Sequence, residues 1–251
     1  MPWRGSVARG ADFLGFAGGV VVRALTPPWS AAAVTHHTWV LATRCALPVL
    51  AVVVPAGMVL ALQGLAIFAR FGAERLLSSL VSVAVFRELS PVLASVLVAA
   101  QGGSAFAAEL GAMKIHEELD ATEVMAIDSV RVHVVPRVLA AMVATPMLHV
   151  LGSAGGVVGA WIVAVVLEGE PSGIFWANLW ALTQAVDIGG SLLKTIVFGG
   201  IIGLVATWKG TRAEGGAAGV GRAVNDTVVL SVVAFIVANY VLTSALYGAG
   251  A

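Results

Sequence analysis

The chain has 251 residues, 59% of them hydrophobic and 11% charged, with 14 basic and 14 acidic side chains. A soluble domain averages roughly 45–50% apolar and about 25% charged residues, and the mean hydropathy here is +0.96. No soluble core hides that much apolar surface, so lipid must cover much of it. The balanced charge lacks the basic footprint of a nucleic-acid-binding protein, and the single cysteine, Cys45, rules out an internal disulfide. Cys45 reads as a small apolar residue near a helix end.

The first apolar stretch, Phe13 to Leu25, is interrupted by Gly15, Gly18, Gly19 and Arg23. No small-residue cleavage site follows it, so the first true span is expected to act as its own insertion signal. Residues 1–46 read as an N-terminal cytoplasmic or interfacial segment and 47–251 as the transmembrane domain. Within the first segment, Pro27-Pro28 breaks the chain, and Trp29 to Arg44 is expected to form a helix on the membrane surface, because Trp and Arg suit the headgroup layer. His36 and His37, adjacent on that helix, point about 100° apart and do not suit one metal.

Five spans are expected, each needing roughly 20 apolar residues. The first is Leu47 to Ala69, followed by a polar break with Arg70, Gly72, Glu74 and Arg75. The second apolar segment starts near Leu76, with its spanning part from Phe86 to Ala108. Residues 113–128 alternate acidic and apolar side chains, too charged to span, and read as a short amphipathic helix in water or at a protein interface. The third apolar segment, Val134 to Leu167, exceeds one span, and a kink at Pro146, a tilt, or a start outside the bilayer would absorb the excess. Glu168 to Ala185 reads as a polar, Trp-rich interface. The fourth span is Ile188 to Trp208, a Gly-rich loop covers Gly210 to Gly221, and the fifth span is Thr227 to Tyr247.

Basic residues set the orientation. With five spans, Arg4, Arg9, Arg23, Arg44, Lys114, Arg131, Arg137, Lys209, Arg212 and Arg222 fall on one side, against Arg70 and Arg75 on the other. The first side is expected to be cytoplasmic, which puts the N-terminus and the 113–128 helix inside and the C-terminus outside.

Four features rise above this background. Gly152/Gly156, Gly155/Gly159 and Gly199/Gly203 have the small-xxx-small spacing that lets helix backbones approach, either within one chain or between two copies. Arg87, Glu88, Asp187 and Lys194 are charges at membrane depth, where each costs at least ~2.5–3.5 kcal/mol unless paired or wet. Arg87 and Glu88 point apart on a helix, so each needs its own partner, and Lys194 is the expected partner of Glu88. The alternatives are a polar rim around an outward-opening chamber or four residues snorkelling at the interface. Glu109, beside Gln101-Gly102-Gly103-Ser104, is expected to pair or cap at the surface rather than shuttle protons. Last, the acidic helix at 113–128 suits docking into a groove on a motor, with its apolar side entering and its acidic side setting register. An ordinary solvated connector fits the spacing equally well. His149 and Ser153 are four apart and are expected to share a helix-packing hydrogen bond, not to form a protease dyad. The chain carries no H-E-x-x-H, G-x-S-x-G, Cys/His cluster or G-x-x-x-x-G-K-[ST] motif. No catalytic or metal residue is therefore expected in it, and ATP with Mg would be bound by another subunit.

The stretch from Phe86 to Ala140 resembles the MlaE/YrbE family of ABC-transporter permeases. It carries R-E-L-S-P at Arg87 to Pro91, G-G-S-A-F-A-A-E-L-G at Gly102 to Gly111, the M-K…E-E-L-D-A-T-E-V-M-A-I-D run at Met113 to Asp128, and Pro136-Arg137. The likeness continues through the Lys194 region and the Gly215 to Val229 loop, over about residues 45–247. It implies an all-α polytopic membrane protein with five transmembrane helices, an N-terminal interfacial helix and a cytoplasmic coupling helix at about 113–127. It also implies a dimer with a second permease subunit, identical or related, an ABC ATPase subunit below each coupling helix, and MCE-domain proteins outside. The substrate would be a membrane lipid (phospholipid, fatty acid or sterol), and the cell membrane would be a bacterial inner membrane. Residues 117–121 lean towards the actinobacterial YrbE branch. Carried over by position, Arg87, Glu88 and Lys194 lie by the lipid cavity. Asn239 stands where the family often has an acidic residue, and Gln101 where it often has Arg. Met113, Lys114, Glu117, Glu118, Leu119, Asp120, Glu123, Val124 and Met125 fall on the coupling element. Two other readings of the chain are an ion-coupled secondary carrier, which should show paired broken helices from internal repeats, and a non-transporting scaffold.

Overall fold

The computed structural model describes residues 2–73 and 76–248, and side chains from residue 10 onward within them. Glu74, Arg75 and the side chains of Arg4 and Arg9, all used above, lie outside what is described. Among the described residues the chain is helical, with eight helices and no strand. They are α1 (Pro2–Leu25), α2 (Ala31–Phe68), α3 (Leu77–Ile115), α4 (Glu118–Val124), α5 (Val130–Leu167), α6 (Ser172–Leu182), α7 (Ala185–Gly210) and α8 (Gly216–Tyr247). Five of them, α2, α3, α5, α7 and α8, are long and apolar enough to cross a membrane. The chain is an all-α, multi-pass membrane protein.

Several boundaries differ from the sequence-based expectation. The surface helix expected at Trp29 to Arg44 is the first part of α2, and residue 46 falls inside that helix. Ser30 caps it by accepting the Ala33 N–H at 3.2 Å, and no breaker follows until Pro48. Pro48 and Pro55 lie inside α2, where a membrane helix tolerates them because neighbouring helices re-satisfy the freed backbone. A separate N-terminal helix, α1, precedes it, and Pro27-Pro28 does separate α1 from α2. α3 begins earlier than the expected span and contains two π-helical turns, Val85–Leu89 and Val98–Gly103. α5 does not break at Pro146: its α-helical part runs from Val135 to Trp161, with π-turns at Val130–Val134 and Ile162–Leu167. The stretch read as a polar loop contains α6, whose Phe175 and Leu179 are fully buried in one cluster with Leu77 and Val81. Gly216 to Gly221 is helical, so α8 starts well before Thr227.

The acidic element is also shorter than expected. Met113 to Ile115 is the last part of α3, and α4 spans only seven residues. Between them Glu117 has φ of +59°, a left-handed conformation that ends one helix and re-aims the next.

Glycine sets the distances between helices. The buried side of α2 is a stripe of Leu41, Cys45, Val49, Val53, Gly57, Ala61 and Gly64, spaced at one helical turn. The middle of this stripe lies on α5, while Leu41 and Gly64 near its ends meet Gly102 and Leu77 of α3. A Cβ on Gly57 would collide with the Gly156 carbonyl, and one on Gly159 with the Val54 carbonyl. Gly152 and Gly155 face Val49, Leu50 and Val54 of α2, while Gly199 and Gly203 of α7 face Ala141 and Val138 of α5. The close approaches of these seven glycines are thus within the chain, between α5 and its neighbouring helices.

α1 is clasped at its middle and at its C-terminal end. Asp12 accepts from Arg212 at 2.7 Å and from the Trp208 indole at 3.3 Å, with Phe13 edge-on to Trp208. Arg23 donates to Asp128 at 2.7 Å. The Arg212 and Trp208 hydrogen bonds hold the Asp12 carboxyl below the usual carboxylate range. Partial burial pushes the Asp128 carboxyl up, but bonds from Arg23 and the Arg131 N–H outweigh it and hold it low. Both clasps are therefore ionised at neutral pH. Since α1 touches both the α4 connector and the turn after α7, Arg23, Arg131 and Arg212 lie at one end of the bundle.

Overpacking a tight core costs about 1–3 kcal/mol and more when backbone blocks relaxation. Gly57→Val is expected to lose most of its folded, detergent-stable protein, measured by fluorescence-detected size exclusion after heating. Gly221→Val, where nothing lies within 4 Å, is the control and should behave like wild type; equal behaviour of the two variants would contradict the packing account.

Candidate functional site

Charged side chains from α3 and α7 meet uncharged polar ones from α8 at the α6 end of the bundle. At ~1.5 Å rise per residue, Glu88, Lys194 and Asn239 each lie about 12–17 Å in from that end of their helices. The first π-turn of α3 carries Arg87 and Glu88. A π-turn takes in one extra residue and shifts the face that follows, and such turns recur at functional sites. Here it lets neighbouring residues serve two different partners.

Arg87 Nε donates to Asp187 Oδ1 at 2.7 Å. Asp187 sits in the first turn of α7 and is 2% exposed. Its other oxygen accepts the Gln184 N–H at 2.9 Å, closing a capping box. A carboxylate there also meets the positive end of the helix dipole, so burying it is compensated three ways. The Arg87 guanidinium stacks 4.6 Å over the Tyr247 ring.

Glu88 is the hub of the second group. Its Oε1 accepts from Lys194 Nζ at 2.9 Å and from Thr243 Oγ1 at 2.8 Å, and its Oε2 accepts from Asn239 Nδ2 at 2.8 Å. Lys194 Nζ also donates to the Arg87 carbonyl and to Thr243 Oγ1, each at 2.8 Å. All three ammonium protons therefore have acceptors, and Thr243 passes its own proton on to Glu88. The Lys194 side chain is 0% exposed, whereas the Glu88 side chain is 43% exposed.

A third, uncharged group lies alongside. His149 of α5 is 3% exposed. Its Nδ1 lies 3.0 Å from Ser90 Oγ and 3.3 Å from Ser153 Oγ, and its Nε2 lies 3.0 Å from Ser191 Oγ. A pocket of about 360 Å³ opens beside it, walled by Phe86, Val157, Trp176, Trp180 and Leu192.

At the opposite end, the connector from His116 to Ser129 is tied down by polar bonds. Lys114 holds Asp120 at 2.7 Å, Glu123 accepts from Ser129 at 2.8 Å, and Leu119 is buried. Val124, Met125 and Ile127 are nonetheless 87%, 62% and 43% exposed. Glu117 and Glu118 are exposed as well, and Met113 is half-buried in the last turn of α3. Nearby, Glu109 accepts from Arg137 at 3.1 Å, a pairing rather than a free carboxyl.

The structure thus brings Arg87, Glu88, Lys194 and Asn239 together and pairs Lys194 with Glu88. It puts the coupling residues at the far end. Sequence reading missed the partner of Arg87, although Asp187 was visible as a charge at depth. It also missed Thr243, Tyr247 and two of the serines around His149, Ser90 and Ser191, whereas the expected His149–Ser153 contact is present at 3.3 Å. The one available signal was that Asp187 and Lys194 are seven residues apart, two turns on one face of α7.

Removing one partner of a buried pair costs most where the survivor stays buried. Glu88→Gln strands the fully buried Lys194 and is expected to destabilise by about 3 kcal/mol. Lys194→Met strands a half-exposed carboxylate that water can reach, and is expected to cost about 1 kcal/mol. Thermal unfolding of both variants in the same micelle checks the order, and a reversed order would contradict the geometry.

The family profile described as Permease MlaE matches residues 34–245. A probable ABC transporter permease protein of Rickettsia typhi is 36% identical over 191 residues, 76% of this chain and 74% of that protein. The intermembrane phospholipid transport system permease protein MlaE of Haemophilus influenzae is 34% identical over 195 residues, 77% and 75% of the two chains. The Arabidopsis thaliana chloroplast protein TRIGALACTOSYLDIACYLGLYCEROL 1 is 34% identical over 195 residues, 77% of this chain and 56% of that one. By the length of the profile match and by these identities, the chain belongs to the MlaE permease family.

Proposed function

We propose that the chain is the membrane permease subunit of an ATP-driven lipid transporter in a bacterial inner membrane. In this reading the α4 connector and the N-terminus face the cytoplasm, and Tyr247 faces outward. The chain pairs with a second permease subunit. ATPase subunits, which bind ATP and Mg, press on the connectors, and MCE-domain proteins receive or deliver lipid outside.

The observation that carries this reading is the exposure of Val124, Met125 and Ile127 on a connector otherwise tied down by polar bonds. Fixed apolar side chains in water mark a docking site, and Glu117, Glu118 and Asp120 around them supply charge to steer and register a partner. The Haemophilus influenzae relative is named for phospholipid transport, which supports a lipid as cargo. Glu88 supports it too. Its carboxylate is pinned by three donors yet half-exposed at membrane depth, which fits the wall of a wet cavity and not a face covered by acyl tails. An anionic head would meet the part-exposed Arg87 there, with Lys194 buried behind Glu88, and the apolar pocket by Phe86 and Trp180 suits hydrocarbon.

The test has two arms. Val124→Asp with Met125→Asp is expected to lose co-purification of the ATPase and at least tenfold of ATP-dependent lipid transport, with the permease still folded. Glu88→Lys is expected to retain less lipid by mass spectrometry of the purified complex. Wild-type ATPase binding in the first variant would remove the docking role, and unchanged lipid in the second would remove the cavity role.

A further inference from the structure

We infer that His149 is the positioning residue of the outer charged cluster: its imidazole ties α3 to α7 through α5 and so sets the separation at which Glu88 meets Lys194 and Arg87 meets Asp187.

The argument begins with where the tied serines sit. Ser90 directly follows the π-turn that carries Arg87 and Glu88. Ser191 stands four residues after Asp187 and three before Lys194, on the same face of α7. The ring therefore bridges the two helices about one turn from each ion pair. Its bonds to Ser90 and Ser191 are both 3.0 Å, and Ser90 Oγ also donates to the His149 carbonyl at 2.8 Å. The second bond fixes Ser90 to the backbone of α5 as well as to the ring. Gly152, one turn along α5, makes room for this: a Cβ there would meet Ser90 Oγ at 3.0 Å.

Proton counting gives one neutral arrangement that fills every His149 contact. The single Ser90 proton goes to the His149 carbonyl. Nδ1–H must then donate to Ser90 Oγ, shared with Ser153 Oγ, and Nε2 accepts from Ser191. Neither anchoring serine needs the ring to be satisfied. Ser90 has the His149 carbonyl, and with the ring removed Ser191 can turn its single proton to the Ile188 carbonyl, 3.0 Å away. Burying an imidazole here is unfavourable unless its bonds are made, and what the bonds accomplish is the tie between helices.

A double-mutant cycle reads this directly. Melting temperatures of the full chain are measured for wild type, Glu88→Gln, Lys194→Met and the double variant, and again with His149→Leu, which fills the space without hydrogen bonds. The expected result is that the Glu88–Lys194 coupling falls by at least half in the His149→Leu background. If His149 merely stabilises the bundle, all four melting temperatures drop together and the coupling survives, which overturns the inference. Ser191→Ala removes the Nε2 tie alone and is the second background should His149→Leu not fold; an unchanged coupling there is equally fatal.

What the cluster then does for lipid rests on the proposed function. With the ATPase and lipid present, Ser191→Ala is expected to raise the lipid mole fraction for half-maximal transport several-fold and to leave maximal ATP hydrolysis unchanged. A reduced coupling with unaltered transport would leave His149 as the positioning residue and refute the cavity role of the cluster.

Discussion

A lysine with no exposed surface in a membrane-spanning helix is the constraint from which much of this structure follows. Lys194 is buried to 0% exposure, and an ammonium there is tolerated only if every proton has an acceptor and a carboxylate is close. Those acceptors come from two other helices: Glu88 Oε1 and the Arg87 carbonyl on α3, and Thr243 on α8. Three helices are thereby committed to one relative placement at the α6 end. Glu88, satisfied by the same contacts, needs nothing further from protein, so its exposed part is free to face water or a polar ligand.

Such a cluster closes only if the helices come near enough, and here the glycines matter. Gly199 and Gly203 bring α7 onto the backbone of α5 at Ala141 and Val138, and Gly57, Gly156 and Gly159 bring α2 onto its other side. Without water to drive apolar association, close van der Waals packing is the main attraction between membrane helices. A methyl group at these points would push α7 away from the helix that carries His149, and the polar contacts would lengthen with it. Small residues in the middle of the bundle and charges near its end are two parts of one geometric solution.

Much of this was legible in the sequence. Length and hydropathy of the segments give the five spans because lipid contact imposes a composition that no other environment imposes. The Glu88–Lys194 pair was legible because adjacent residues on a helix cannot share a partner. The glycine spacing marked close packing but left its address open, since a small-xxx-small stripe looks alike whether its mate is in the same chain or in another. Boundaries were less legible. Pro48 and Pro55 look like breaks in a soluble chain, yet in α2 they are absorbed. The π-turn at Val85–Leu89 has no proline or glycine to announce it, so the way Arg87 reaches Asp187 emerged only with the coordinates. His149 and Ser153, one turn apart, were legible as a pair, but Ser90 and Ser191, which complete the contacts of the ring, are brought to it only by the fold.

The two ends of the molecule are joined by a single element. From Glu88 to Ile115 is 27 residues of continuous α3, about 40 Å at ~1.5 Å per residue. The cluster hangs from one end of this rod and the α4 connector from the other. Between them lies the π-turn at Val98–Gly103, whose last residues, Gly102 and Gly103, pack on Leu41 and Ile202. A straight α-helix transmits a push along its axis with little loss, whereas a slipped turn is where a rod bends or shifts register. At the connector end α1 adds a brace, since Arg23 grips Asp128 while Asp12 grips Arg212 beyond α7. A push on the connector in the proposed transporter would therefore reach the Lys194 side of the cluster by two routes: up α3 through its π-turns, and across α1 into the foot of α7. Because both routes end on the same ion pairs, Glu88 and Lys194 would, in that proposed transporter, be the place where displacement of one helix against the other changes what the cavity wall presents.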